Sequence, residues 1–296
     1  MASMPLPVTP VIVTFNSAHV LATCLASLRG ETAPPIVVDN ASQDASAALA
    51  QSLGARVRVN ARNQGFGRAM NIGAALADTE FLLLANPDLS FDEGAIAALW
   101  EAARACPQAS LFGPRLVEPD GRIFLPARSL LEAKPGKPNT ASPPPEGDCP
   151  LPFLSGACYL ARRAAFEAIG GFDPRIFLFY EDDDLCRRFA DTGAGPVYVH
   201  AAVVRHSRGK SSSPARGRVY QARWHLAWSR AYVARKYGLR AGNAGTIFKS
   251  GLKYLHALAT RDAARRERHG GTLAGAFAAM RGLSALEKEG LNLPVQ

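Results

Sequence analysis

The chain has 296 residues, of which 48% are hydrophobic and 20% charged. That balance excludes a disordered or fibrous protein and allows two domains or one large α/β domain. Residues 205–296 hold 18 of the 34 Lys and Arg but only 4 of the 25 Asp and Glu, so this third carries +14 and the remainder −5 of a net +9.

Val11 to Phe15 reads as a strand, followed by a helix from Ala18 to Leu28. Ile36 to Val38 is the next strand, and Asp44 to Leu53 the next helix. Arg56 to Val59 is a third strand, leading through Gly65-Phe66-Gly67 into a helix that ends near Ala77. Phe81 to Leu84 is a fourth strand, with a helix from Glu93 to Ala105 after it. Short apolar runs alternating with helices of this length predict βαβ units, hence a mostly parallel central sheet with helices on both faces. Residues 134–152 are rich in proline and predict a mobile surface loop, either a lid or an insertion. Beyond it lie an apolar stretch (Phe153 to Leu160), a helix from Arg162 to Ile169 stopped by Gly170-Gly171, and a helix beginning near Glu181. Val197 to Val204 returns as a strand. Ser213 to Tyr237 is helical in pattern, and the last 50 residues read as basic helix.

No run of 18 apolar residues occurs, and the first ten residues lack a basic segment followed by an apolar one. A spanning helix and a secretory signal are therefore not expected. Five cysteines, far apart and without a CxxC pair, point to reduced thiols in a cytosolic protein.

In an open parallel sheet, ligands bind outside the carboxyl ends of the strands. Three polar groups fall there: Asp39-Asn40, Asn86-Pro87-Asp88, and His206. Each alone also fits a turn or a helix cap, as Ser42 and Asp44 do, but three convergent ends suggest a site. Glu181-Asp182-Asp183-Asp184 opens a helix, where acidic residues favour the positive end of the dipole. Asp182 shares a face with Leu185, Cys186 and Phe189 and is expected to point inward, as a general base at a pocket rim would. Asp183 falls on the face with Arg187 and Ala190 and reads as a solvated capping residue; Asp184 is open. Gly65-Phe66-Gly67 is no dinucleotide fingerprint, because Met70 stands at the third glycine and the turn follows the third strand. No Walker loop is present either. His206 to Ser211 joins an imidazole to hydroxyls, Arg208 and Lys210 on a glycine-containing loop, which suits a diphosphate or is simply solvated.

Together these residues resemble the family 2 glycosyltransferases, inverting enzymes of the GT-A fold, and among them bacterial rhamnosyltransferase-type members that build lipid-linked cell-surface polysaccharides such as O-antigen. The carriers are Val11 to Asn16, Val38 to Asp44, Asn63 to Gly67 with Asn71, Asn86 to Asp88, Ser155 to Ala157, Gly170 to Asp173, Glu181 to Cys186, and His206. The resemblance runs from Pro10 to Ser212 and weakens toward Gly238. It implies a GT-A catalytic domain over residues 8–212 and a basic helical C-terminal region over 213–296. Asp39 is then expected to contact the nucleotide base, with Thr14 and Asn16 beside it. Asn63, Gly67, Asn86 and Arg208 complete the nucleotide-sugar site. Asp88, in the DxD position, is expected to hold Mg²⁺ or Mn²⁺ with His206. The first carboxylate of that motif is Asn86 here. Asp182 would be the catalytic base and Glu181 its neighbour toward the acceptor.

The resemblance implies transfer from dTDP-L-rhamnose, with a UDP-sugar as the alternative donor, to a saccharide or polyprenyl-diphosphate-linked saccharide. The basic C-terminal third, with Trp224, Trp228 and Tyr232 interleaved, then suits the anionic inner face of the cytoplasmic membrane, where a peripheral enzyme would dock. Core packing of these aromatics fits their spacing equally well. Two other readings are weaker. A sugar-1-phosphate nucleotidylyltransferase would carry glycines after the first strand, where Asn16 to Val20 has none. A nucleic-acid-binding role would use the basic tail but leave the inward carboxylates unexplained, and no binding motif supports it.

Overall fold

Seven consecutive buried residues, Val8–Thr14, make β1, the strand around which the first half of the chain is built. In the computed structural model, residues 5–124, 129, 131, 144–207, 217–239 and 243–292 are described. By their contacts the residues divide into two units: Met1–Phe172 with Leu185–Ser213, and Asp173–Asp184 with Pro214–Gln296.

In the first unit, β1 lies between β2 (Ile36–Asp39) and β4 (Phe81–Ala85), both parallel to it, and β2 pairs in parallel with the edge strand β3 (Arg56–Val59). The helices between them are α1 (Ala18–Ser27), α2 (Ser46–Ser52) and α3 (Phe66–Ala74). β1, β2 and β4 are buried along their whole length, as strands covered on both faces must be, and this is why they read as unbroken apolar runs.

The other half of the sheet departs from the parallel expectation. After β5 (Leu89–Phe91) and α4 (Ala95–Ala105) come β6 (Leu111–Val117), β7 (Ile123–Phe124) and β8 (Cys149–Pro150). β9 (Cys158–Arg162), α5 (Arg163–Ala168), α6 (Glu181–Asp191) and β10 (Pro196–His206) follow. The order is β3-β2-β1-β4-β9-β6-β10-β5, and β9 runs antiparallel to both neighbours. The sheet is therefore mixed. Apolar residues alone do not encode strand direction. β6 gave no strand signal because Gly113-Pro114 interrupts it. The ladder accommodates Pro114, which lacks an N–H, by a register shift in β10 between Val199 and Val203, directly opposite. Within the proline-rich stretch, Cys149–Pro150 is strand rather than loop, paired at the edge with Val197 and Tyr198; residues 134–143 lie outside the described residues.

Side-chain alternation splits the core into two layers. Val8, Ile12, Leu83 and Phe112 face α1, α2 and α4, whereas Val11, Val13, Leu82 and Leu84 face α3, α5 and α6. Gly73 lets α3 approach: a Cβ there would overlap the side chains of Val11 and Val38. Gly73→Ala is expected to cost about 2 kcal/mol, measured as a fall in Tm of roughly 5 °C. An unchanged Tm would contradict this packing.

In the second unit, α7 (Arg218–Lys236), α8 (Asn243–Ala259), α9 (Ala263–Met280) and α10 (Ala285–Lys288) form helical layers. Gly271 and Gly275 bring α9 onto α7 so closely that a Cβ would strike the carbonyl oxygens of Tyr220 and Trp224. Trp224 and Trp228 are buried here, in a core with Phe177, Ala231 and Leu286, and the Trp228 indole donates to Leu283 O at 2.7 Å. Of the two readings of these tryptophans, core packing is the one the structure shows. No helix among the described residues is long and apolar enough to cross a membrane.

Candidate functional site

At the carboxyl ends of β1 and β2, Asp39 is 1% exposed. Its Oδ2 accepts from the Thr14 hydroxyl at 3.0 Å and its Oδ1 from Ser42 N at 2.9 Å. The register Thr14↔Asp39 places the two side by side. Asn16 follows in the left-handed region (φ 55°), which asparagine tolerates; its N–H donates to Ser42 Oγ and its Oδ1 accepts from Gln43 N. Ala41 is also left-handed (φ 64°), a conformation costing roughly 1–2 kcal/mol without such compensation. Asp44 serves two helices, accepting from Ser46 N at the start of α2 and from Ala18 N at the start of α1.

Asn40 has a part that the sequence reading did not assign. It is 2% exposed; its amide donates to Gly65 O, and its carbonyl oxygen accepts from Asn60 Nδ2 and Gln64 N. It thereby fixes the loop that carries Asn63, whose Oδ1 accepts from Gly65 N. The only sequence signal was its place directly after Asp39. Gly67 has a packing reason for being glycine, since a Cβ would sit 2.8 Å from Cβ of Phe172. Asn71 holds that same segment, donating to Phe172 O and accepting from Phe172 N, both at 2.8 Å.

Asp88 and His206 meet through sheet register. β5 pairs antiparallel with the end of β10, His206 opposite Leu89, and Ser207 N donates to Asp88 O. Asp88 Oδ1 and His206 Nε2 come to 3.5 Å, the carboxylate fully buried and the imidazole nearly so. A carboxylate and an imidazole side by side are donor types that would suit a divalent ion. Among the described residues no cluster of three or more His, Cys, Asp or Glu is placed to hold a metal. The pair would thus supply at most two protein ligands to such an ion. Asn86, two residues before Asp88, is half-buried. Its backbone carbonyl oxygen accepts from the Cys24 thiol at 3.7 Å, and burial, then the charge of Asp88, push that thiol up to about 12. All five cysteines are free, and Cys24 is no nucleophile. Arg208 lies outside the described residues.

The remaining candidates belong to the second unit. Phe179 and Tyr180 are consecutive left-handed residues (φ 67° and 66°) immediately before α6, a strained entry for two aromatics. Asp184 is fully buried, accepting from Lys236 Nζ at 2.5 Å and Tyr237 OH at 2.8 Å. Lys236 also holds Asp173 at 2.7 Å; although burial opposes it, this cation keeps the Asp173 carboxyl below its ordinary range. These bonds tie both ends of the 173–184 segment to α7.

Within α6 the faces differ from the helical-wheel expectation. Asp183 is 6% exposed rather than solvated, and Asp182 is half-buried. A wheel drawn on α6 alone knows nothing of partners outside the helix, such as Lys236 and Tyr237, which hold Asp184. Asp182 Oδ1 accepts from Asp183 N at 3.0 Å. Burial, then the charge of Asp182, push the Glu181 carboxyl up to about 8, so at neutral pH it retains its proton.

That shift has a measurable consequence. The native-state penalty is absent below the ordinary carboxyl value of 4.5, grows as pH rises, and is complete above about 8. Glu181→Gln removes it. The Tm of the variant relative to wild type is expected to rise by a few degrees between pH 5 and pH 9. A constant difference across that range would contradict a buried, protonated Glu181.

Comparison with known proteins bears on the family and the fold. A family model described as glycosyl transferase family 2 matches residues 9–170. The chain is 34% identical over 238 residues to an N-acetylglucosaminyl-diphospho-decaprenol L-rhamnosyltransferase of Mycobacterium tuberculosis, covering 69% of this chain and 78% of that protein. It is 32% identical over 89 residues to the rhamnosyltransferase WbbL of Escherichia coli, covering 30% and 33% of the two chains. The mannosyltransferase PcManGT of Pyrobaculum calidifontis, solved with GDP-Man and Mn²⁺, shares the fold with a TM-score of 0.56 at 14% identity, over 94% of this chain and 88% of that one.

Proposed function

The chain belongs to glycosyl transferase family 2, and we propose that it moves L-rhamnose from dTDP-L-rhamnose to a polyprenyl-diphosphate-linked N-acetylglucosamine, inverting the anomeric carbon. The relative from Mycobacterium tuberculosis supports the sugar and the acceptor. The approach of Asp88 to His206 at the sheet edge is the observation that carries the chemistry. A UDP-sugar is the alternative donor.

In this reading the residues divide the work. Asp39, with Thr14 and Asn16, positions the nucleotide, and Asn63, Asn86 and Arg208 contact the nucleotide sugar. Gly67 keeps the neighbouring backbone close. Asp88 and His206 would hold Mg²⁺ or Mn²⁺, which when bound supplies positive charge to the diphosphate leaving group. Asp182 accepts the proton of the acceptor hydroxyl as its oxygen bonds to the anomeric carbon. The bond from that carbon to the diphosphate breaks, and its electron pair leaves with the nucleoside diphosphate. One displacement inverts configuration, so no covalent enzyme nucleophile is needed. Glu181, protonated at neutral pH, donates a hydrogen bond to the acceptor.

A thermal-shift panel of dTDP, UDP and GDP, each with and without Mn²⁺, tests this reading. Ligand binding only the native state raises Tm, by roughly 2.7 kcal/mol of stability at a hundredfold excess over Kd. The expected result is a metal-dependent rise with dTDP that EDTA removes. No rise with any of the three would contradict a nucleotide-sugar site.

A further inference from the structure

α8 is built inside out. It packs on α9 through small or polar residues, Ser250 and Ala257, both buried, while the Tyr254 ring lies against Gly270. Its large apolar side chains point the other way: Phe248, Leu252 and Leu255 are 68%, 54% and 62% exposed. Their i, i+4, i+7 spacing aligns them in one stripe along the helix. A helix stabilised only by its own fold would turn that stripe inward.

The charge beside the stripe has one sign. Residues 243–269 hold six Lys and Arg but only Asp262 and Glu267 as acids. Lys249 and Lys253 flank the stripe and are exposed, as are Arg265, Arg266 and Arg268 at the start of α9. The crowding of cations is felt within the unit. Burial, together with the charges of Lys253, Arg268, Arg223 and Arg265, holds the His269 imidazole below its ordinary range.

We propose that α8 is a membrane-surface anchor, lying in the plane of an anionic bilayer with Phe248, Leu252 and Leu255 among the acyl chains and Lys249 and Lys253 at the headgroups. An apolar stripe bordered by lysines has the pattern of interfacial helices. The charge argues against a second copy of this chain as occupant, because a two-fold contact on this face would set the same lysines against each other. The anchor also differs from the one expected from Trp224 and Trp228, which are spent on the core of the unit.

Flotation of the full chain with vesicles tests the proposal without any sugar nucleotide, so its outcome is separate from that of the transfer reaction. One set of vesicles is phosphatidylcholine alone, the other about one-third phosphatidylglycerol. The protein is expected to float with the anionic vesicles, to be released at high salt, and to ignore the neutral ones. The F248S/L252S/L255S variant should lose at least tenfold in partition at unchanged Tm, these side chains being exposed. Each cation removed, in K249Q and K253Q, should lose roughly fivefold. Wild-type protein that leaves anionic vesicles alone would overturn the anchor. So would a triple-serine variant that binds as wild type does, or a solution dimer that the same three substitutions dissolve.

Discussion

Asp182→Asn is expected to abolish transfer while donor affinity stays within about twofold of wild type. The amide keeps the size of the carboxylate but cannot take the acceptor proton, and general-base catalysis is worth roughly 10²–10⁴ in rate. Its setting supports the assignment: Asp182 is half-buried, Glu181 beside it is protonated at neutral pH, and Asp184 is committed to Lys236 and Tyr237. Turnover and donor Kd on the same preparation check it. If Asp182 only favoured the helix N-terminus, the variant would lose about 0.3–1 kcal/mol of stability and keep its rate.

Asp88→Ala is expected to act on the other half of the reaction. With one of the two side chains proposed to hold the metal gone, metal-dependent donor binding should weaken by at least tenfold, since changes even in groups that merely orient a ligand cost about 10–100-fold. Binding measured without metal should change little. Asp88 is buried against His206, so Asp88→Asn, which preserves the packing, controls for a folding defect. Equal loss of donor binding in the Asp182 and Asp88 variants would refute the separation of base from metal ligand.

In the parallel half, β1, β2 and β4 were legible because they are covered on both faces and leave an unbroken apolar signature, as in Phe81–Ala85. The mixed half was legible only in part: Val197 to Val204 was read as a strand, but its parallel partner β6 was not. Direction is absent from a run such as Cys158–Arg162, and β6 was masked by a proline that only the register shift in β10 makes tolerable. At the site, Asp39, Asp88 and His206 were found because strand ends collect ligand-binding groups. That Asp88 and His206 touch depends on an antiparallel pairing between residues more than a hundred apart. The acidic turn was read from one helix alone, so the burial of Asp183 and the pairing of Asp184 with Lys236, 52 residues away, escaped it. α8 shows the reverse case. Its amphipathic pattern is plain, but only the structure reveals that the apolar side faces out.

The central claim is an inverting transfer from a nucleoside-diphosphate sugar to a lipid-linked acceptor. Its most direct test incubates the full chain with dTDP-L-rhamnose, a prenyl-diphosphate-linked N-acetylglucosamine and Mn²⁺, and determines the product by mass and by anomeric NMR. The expected product is a disaccharide on the lipid carrying one deoxyhexose in the configuration opposite to the donor, with one dTDP released per transfer. A product with retained configuration would contradict the single displacement. No glycosylated acceptor from any dTDP-, UDP- or GDP-sugar would contradict the transfer itself.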